Sequence, residues 1–105
     1  MSANLCSGVY FIRNAASGTV VHVPGTGSGT KLVCSAVDYD QAGAQLFKFK
    51  RWKDSFVITN VATKLTVDMP GGNDPPVVAF NYHGGYSQLW HIRRKGDENR
   101  FSLLH

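Results

Sequence analysis

No apolar run in this sequence approaches the roughly 18 residues of a membrane-spanning helix. The N-terminus shows no basic segment leading into an apolar core and a cleavage site. Both absences point to a cytoplasmic chain, or one released by a non-classical route, that does not insert in membranes. Cysteine is scarce: Cys6 and Cys34 alone make no disulfide framework, and a reducing compartment would keep them as free, buried thiols. The four histidines, His22, His83, His91 and His105, stand far apart and lack ligand spacing to either cysteine, which argues against a metal site. No Ser/His/Asp or Cys/His grouping appears, and Asp38 and Asp40 lie too close together to pose as the paired carboxylates of a glycosidase. The chain therefore reads as non-enzymatic and free of cofactors. Helical periodicity is missing throughout. Charged residues make up 17% against 43% hydrophobic, an ordinary globular balance that excludes disorder.

What is present is turn residues and short strand-forming runs. Eleven glycines and four prolines punctuate β-branched and aromatic stretches, as in an all-β domain with many turns. At 105 residues the chain makes one small domain, which buries only about two thirds of its unfolded surface.

The runs repeat. Val9-Tyr10-Phe11-Ile12-Arg13-Asn14 returns as Ser55-Phe56-Val57-Ile58-Thr59-Asn60, and Val21-His22-Val23-Pro24-Gly25 as Val67-Asp68-Met69-Pro70-Gly71, at one constant offset of 46 residues. Each copy closes on a glutamine two before an aromatic, Gln45-Leu46-Phe47 and Gln88-Leu89-Trp90, with the offset there cut to 43. The segment from Arg100 to the end resembles the opening of a further copy. A strand-rich repeat of about 45 residues cannot bury its apolar face alone, so the copies must pack on one another.

Strands are expected at about 9–14, 19–23, 31–36 and 46–50 in the first copy and 55–60, 65–69, 77–81 and 89–93 in the second, with a ninth at 100–104. Loops fall at 24–29 and 70–76, and single tight helical turns fit 39–44 and 83–87. The domain 1–105 thus divides into repeat 1 at about 8–51, repeat 2 at about 55–95 and a partial repeat 3 at about 99–105.

A net charge of +4 and a pI near 9.3 raise the question of nucleic acid. Phe47-Lys48-Phe49-Lys50-Arg51-Trp52-Lys53 interleaves rings with cations, as a stacking platform would. The same alternation is what a strand shows when Phe47 and Phe49 enter a core and Lys48 and Lys50 face water. The second reading is preferred, because Arg93-Arg94-Lys95 occupies the matching place in repeat 2, and no nucleic-acid partner is expected.

Four-strand units of this length, each ending in Gln-x-aromatic, resemble the subdomains of ricin-B-type lectins. Tyr82-His83-Gly84-Gly85-Tyr86-Ser87-Gln88-Leu89-Trp90 is similar to the aromatic-His-Gly-Gly-x-Asn-Gln-x-Trp signature of the mushroom members of that family. The resemblance implies a β-trefoil, here with two complete four-strand repeats and the first strand of a third. Nine of twelve strands would leave an open barrel seam of unpaired backbone groups. Either a second copy covers that seam, making a homodimer, or the chain is a shortened version of a longer parent.

The resemblance also implies a sugar site in repeat 2. Asp68 holds the family's sugar-binding aspartate position, a carboxylate whose bonds to hydroxyls are charge-assisted. Tyr82 offers a ring at a rim, and His83, the Gly84 backbone, Tyr86 and Ser87 add further contacts. Gln88 matches the family glutamine, which braces the aspartate more often than it touches sugar. Ser87 replaces the usual asparagine with a shorter group. Asp68 also fits a turn aspartate bonding its own backbone, His83 a turn filler, and Tyr82 a core ring like Phe80. Trp90 and Phe47 belong to the core. In repeat 1, His22 replaces the aspartate and Ala44 the asparagine, so Asp38-Tyr39-Asp40 would have to act from its loop.

The function implied is a non-catalytic lectin for galactose or N-acetylgalactosamine-type glycans, with Asp68→Ala expected to remove binding and leave the fold intact. The alternative is a β-trefoil protease inhibitor, or other protein-binding module, acting through the 24–30 and 70–76 loops.

Overall fold

In a computed structural model the chain is described at residues 6–71, 76–94 and 101–104. The tip of the 70–76 loop, Lys95, Arg100 and His105 lie outside the described residues, as do the expected outer limits of repeats 2 and 3. Ten strands and two single turns of 3₁₀ helix make up the regular structure among the described residues. The strands are β1 (Gly8–Phe11), β2 (Val20–His22), β3 (Thr30–Lys31), β4 (Val33–Ser35), β5 (Leu46–Trp52), β6 (Ser55–Asn60), β7 (Thr66–Asp68), β8 (Val78–Phe80), β9 (His91–Arg94) and β10 (Phe101–Leu104). The 3₁₀ turns, Ala42–Gln45 and Tyr86–Gln88, end on the two repeated glutamines.

Every expected strand is present, with one division. The run at 31–36 becomes β3 and β4, because Thr30 and Lys31 pair with Ala79 and Val78 of β8 while Val33, Cys34 and Ser35 pair with β2. Leu32 lies at the bend, its N–H bonded to the Val77 carbonyl. A strand that serves two partners must change direction between them, and nothing in its own residues announces the change.

Six strands form one antiparallel sheet in the order β1-β5-β6-β7-β8-β3, with β2–β4 and β9–β10 as separate pairs. Repeat 1 is thereby stitched to repeat 2 twice, by the β5–β6 hairpin and by β3 against β8. Paired bonds between Phe56 and Trp90 tie the start of β9 to β6. Alternation decides the faces. Phe47 and Phe49 of β5 and Phe56 and Ile58 of β6 point inward with Val23, Leu65, Val67, Ala79, Trp90 and Ile92 to make the core, while Lys48 and Lys50 face water. Rings meet edge to face within it: Phe49 stacks against Tyr10 at 5.5 Å and Phe56 at 6.1 Å between centroids.

The β6–β7 turn is held by Asn60, whose side-chain amide donates to the carbonyls of Gly43, Ala44 and Leu46 and whose oxygen accepts from the Thr63 N–H and hydroxyl. Its counterpart Asn14 forms the same turn on the surface, accepting from Ala16 and Ser17 N–H. Only the buried copy reaches across to the other repeat. Both turns end on a left-handed residue: Gly18 at φ 75° and Lys64 at φ 63°.

Two expectations fail on burial. Cys6 and Cys34 are free but exposed. Val33 and Cys34 are consecutive in β4 and so point to opposite faces of the β2–β4 pair, and both are exposed. Phe80, taken as a core ring, is 38% exposed and leans on His83 at the domain surface.

Candidate functional site

The 3₁₀ turn Tyr86–Gln88 sets the glutamine side chain under the preceding loop. Gln88 is fully buried, and its two ends do different work. Its oxygen accepts from the His83 and Gly84 N–H groups at 2.9 and 3.3 Å, and its amide donates to the Asn81 carbonyl at 2.8 Å and to Asp68 Oδ2 at 3.1 Å. One side chain thus fixes a loop and a carboxylate together. The next aromatic, Trp90, anchors the same strand from behind through Nε1 to the Val67 carbonyl at 3.0 Å. The Met69 N–H bonds the Ser87 carbonyl, which closes β7 onto the turn.

Asp68 ends β7 with only 1% of its surface exposed. Its Oδ2 accepts from Gln88 and faces His83 Nε2 at 3.1 Å, while Oδ1 is buried with no hydrogen-bond partner. The His83 tautomer follows from its other nitrogen. Gly85 N–H donates to Nδ1 at 3.0 Å, so Nδ1 carries a lone pair and Nε2 carries the proton it gives to Asp68. A neutral ring satisfies both bonds. Gly85 is required for this placement, because a Cβ there would lie 2.7 Å from His83 Cε1 and 2.8 Å from Nδ1. Gly84 adopts φ 75°, the left-handed conformation glycine takes at least cost.

The predicted residues therefore come together, in an order the sequence did not give. Asp68, Gln88, His83 and Gly84 form one connected network, and Tyr82, 64% exposed, and Tyr86, 88% exposed, stand free at the surface. Asp68 lies beneath His83, whose side chain is 43% exposed and is the group a solute meets first. Sequence reasoning placed the carboxylate at a shallow rim. It missed the Asn81 carbonyl, the Gly85 N–H and Phe80, whose ring backs the imidazole at 6.0 Å. The paired glycines after His83 were the available signal for the second of these.

Repeat 1 carries the same two residue types in reverse. Gln45 accepts from the Asp38 N–H at 2.7 Å just as Gln88 accepts from His83, so Asp38 stands in the His83 place and His22 in the Asp68 place. Asp38 is occupied with its own loop, its Oδ1 accepting from Asp40 and Gln41 N–H, and His22 Nδ1 is buried without a partner.

A family model described as ricin-type β-trefoil lectin domain-like matches residues 3–79, most of the chain. The chain belongs to the ricin-type β-trefoil lectin-like family. Solved structures agree on the β-trefoil fold at low identity. The designed three-fold symmetric protein ThreeFoil is 18% identical, with a TM-score of 0.81 over 91% of this chain and 71% of that one. A mosquitocidal holotoxin is 17% identical, with a TM-score of 0.81 over 94% of this chain and 12% of the toxin. The Polyporus squamosus lectin, solved with a human-type influenza-binding epitope Neu5Acα2-6Galβ1-4GlcNAc, is 19% identical, with a TM-score of 0.78 over 96% of this chain and 37% of the lectin. No curated protein sequence matches the chain.

Proposed function

We propose that this ricin-type chain is a non-catalytic glycan-binding protein whose site is the Asp68–His83–Gln88 network of repeat 2, with galactose or N-acetylgalactosamine as the ligand class. The observation that carries the reading is Asp68 Oδ1, a buried carboxylate oxygen without a donor beneath a half-exposed imidazole. A buried acceptor left unmatched is unfavourable. A sugar hydroxyl entering as His83 swings aside supplies the missing donor and takes over the bond at Oδ2. Vicinal hydroxyls on one ring suit a carboxylate with two faces to fill. Tyr82 then receives the C–H face of the ring, and Tyr86 borders it. Gln88 positions the aspartate and stays covered.

Affinity at one such site is modest, on the order of a millimolar Kd, since each hydroxyl exchanges water for protein. Pairing of two copies through the edge of β1, which among the described residues is paired on one side, by β5, raises avidity by joining two sites. The homodimer is part of the proposal.

NMR titration with galactose and N-acetylgalactosamine, beside a glycan array, tests the site. Tyr82→Ala removes an exposed ring and leaves the network whole, so it weakens binding about tenfold with an unchanged melting temperature. An empty array, or undiminished binding in Tyr82→Ala, refutes the assignment.

A further inference from the structure

We propose that the outward face of β1, β5 and β6 is a second ligand site, for an acidic polysaccharide whose sulfate or carboxylate groups seat on Lys48, Lys50 and Lys64. An open depression of about 420 Å³ lies there, floored by Val9, Val57 and Val61 and ringed by the three lysines. It shares no residue with the Asp68 network and does not depend on that site's reading. Strand register builds it. Val9, Lys48 and Thr59 stand in one cross-strand row, Lys50 opposes Val57 in the next, and the Val61 N–H bonds the Leu46 carbonyl to close the end.

Three features point to an anionic ligand. The ammonium groups of Lys48, Lys50 and Lys64 make no ion pair among the described residues, where the one carboxylate contact of this kind joins His83 to Asp68. Lys48 and Lys50 project from the same strand face about 7 Å apart, so their charges add over the depression instead of being spent on neighbours. Lys64 holds a left-handed backbone at φ 63°, at the position where repeat 1 has Gly18 at φ 75°. Glycine is the relaxed residue in that turn, and repeat 2 carries a strained lysine whose side chain lines the depression.

The floor selects among anions. It is aliphatic, with no aromatic among its lining residues. The rings of Phe47 and Phe49 are buried in the core, and the exposed Trp52 at the end of the strand lies outside the depression with the Lys53 ammonium over its ring, so no ring within the depression is available for stacking bases. Valine methyls instead fit the C–H faces of pyranose rings, with the lysines above them taking the acidic substituents.

Heparin serves as the probe, compared with desulfated heparin and with double-stranded DNA, in titrations of the whole chain at low and at physiological salt. Three exposed cation–anion contacts, each worth about two- to fivefold, predict that Lys48→Ala, Lys50→Ala and Lys64→Gly together lower heparin affinity by about tenfold to a hundredfold. Lys64→Gly alone weakens it with no loss of thermal stability, which separates charge from folding. Lys31→Ala, in β3 and outside the depression, leaves it unchanged. Failure of the native chain to bind heparin, an unaltered affinity in the triple variant, or DNA bound as tightly as heparin would each overturn the proposal.

Discussion

Asparagine and alanine at position 68 separate what the buried carboxylate does for the fold from what it does for a ligand. Asp68 Oδ2 accepts from Gln88 Nε2 and His83 Nε2, each at 3.1 Å, and Oδ1 accepts from nothing. Alanine takes the acceptor away from one Gln88 N–H, which is buried; the other keeps the Asn81 carbonyl. His83 is exposed enough to turn its Nε2 to water. One stranded buried donor costs about 1–3 kcal/mol, so Asp68→Ala lowers stability by about 2 kcal/mol. In a domain of this size that moves the melting temperature down by roughly 10 °C. The expectation from sequence that alanine spares the fold rests on an exposed aspartate, whereas Asp68 is 1% exposed.

Asparagine behaves differently. Its carbonyl oxygen turned toward Gln88 and His83 keeps both bonds, and its amide exchanges one unmatched buried group, the carboxylate oxygen, for another. The loss of charge-assisted bonds is offset by removal of a buried charge, and stability stays within about 1 kcal/mol of the native chain. At the proposed sugar site both variants are expected to lose glycan binding, because alanine offers no polar group and asparagine presents a donor in place of the Oδ1 acceptor. Guanidinium denaturation gives the stabilities and the NMR titration the affinities. Native-like stability in Asp68→Ala, or a larger loss in Asp68→Asn than in Asp68→Ala, would refute the reasoning.

Asn60→Ala removes the donor shared by three backbone carbonyls and the acceptor of Thr63, and is expected to cost about 3 kcal/mol, against under about 1 kcal/mol for exposed Asn14→Ala, both by denaturant titration. Gly85→Ala drives a methyl against the His83 ring; long-range nitrogen–proton spectra of the imidazole should show the Nε2-protonated tautomer lost or mixed, with the core resonances unmoved.

Much of the fold was legible because it is written in short-range patterns. Period-two alternation placed Phe47 and Phe49 inside and Lys48 and Lys50 outside, and the recurring Asn, Pro-Gly and Gln-x-aromatic positions marked equivalent turns in the two copies. The site was legible as a set of residues for the same reason. Its arrangement was not. Whether Asp68 faces solvent depends on His83, which arrives from a loop fifteen residues later and is held there by Gln88 and Gly85. Cys34 and Phe80 misled because apolar character gives a preference for burial while a covering layer decides it.

By itself, then, the sequence determined the strands, their inward faces, the two-fold echo of the repeat and the residue types gathered near one turn, since each follows from neighbours a few positions apart. Tertiary structure alone decided that β3 and β4 part at Leu32, that the carboxylate lies under an imidazole, and that Val9, Lys48 and Lys64 border one depression. Those outcomes depend on which distant strands pair and in what register, and pairing is settled by the packing of the whole core rather than by any segment within it.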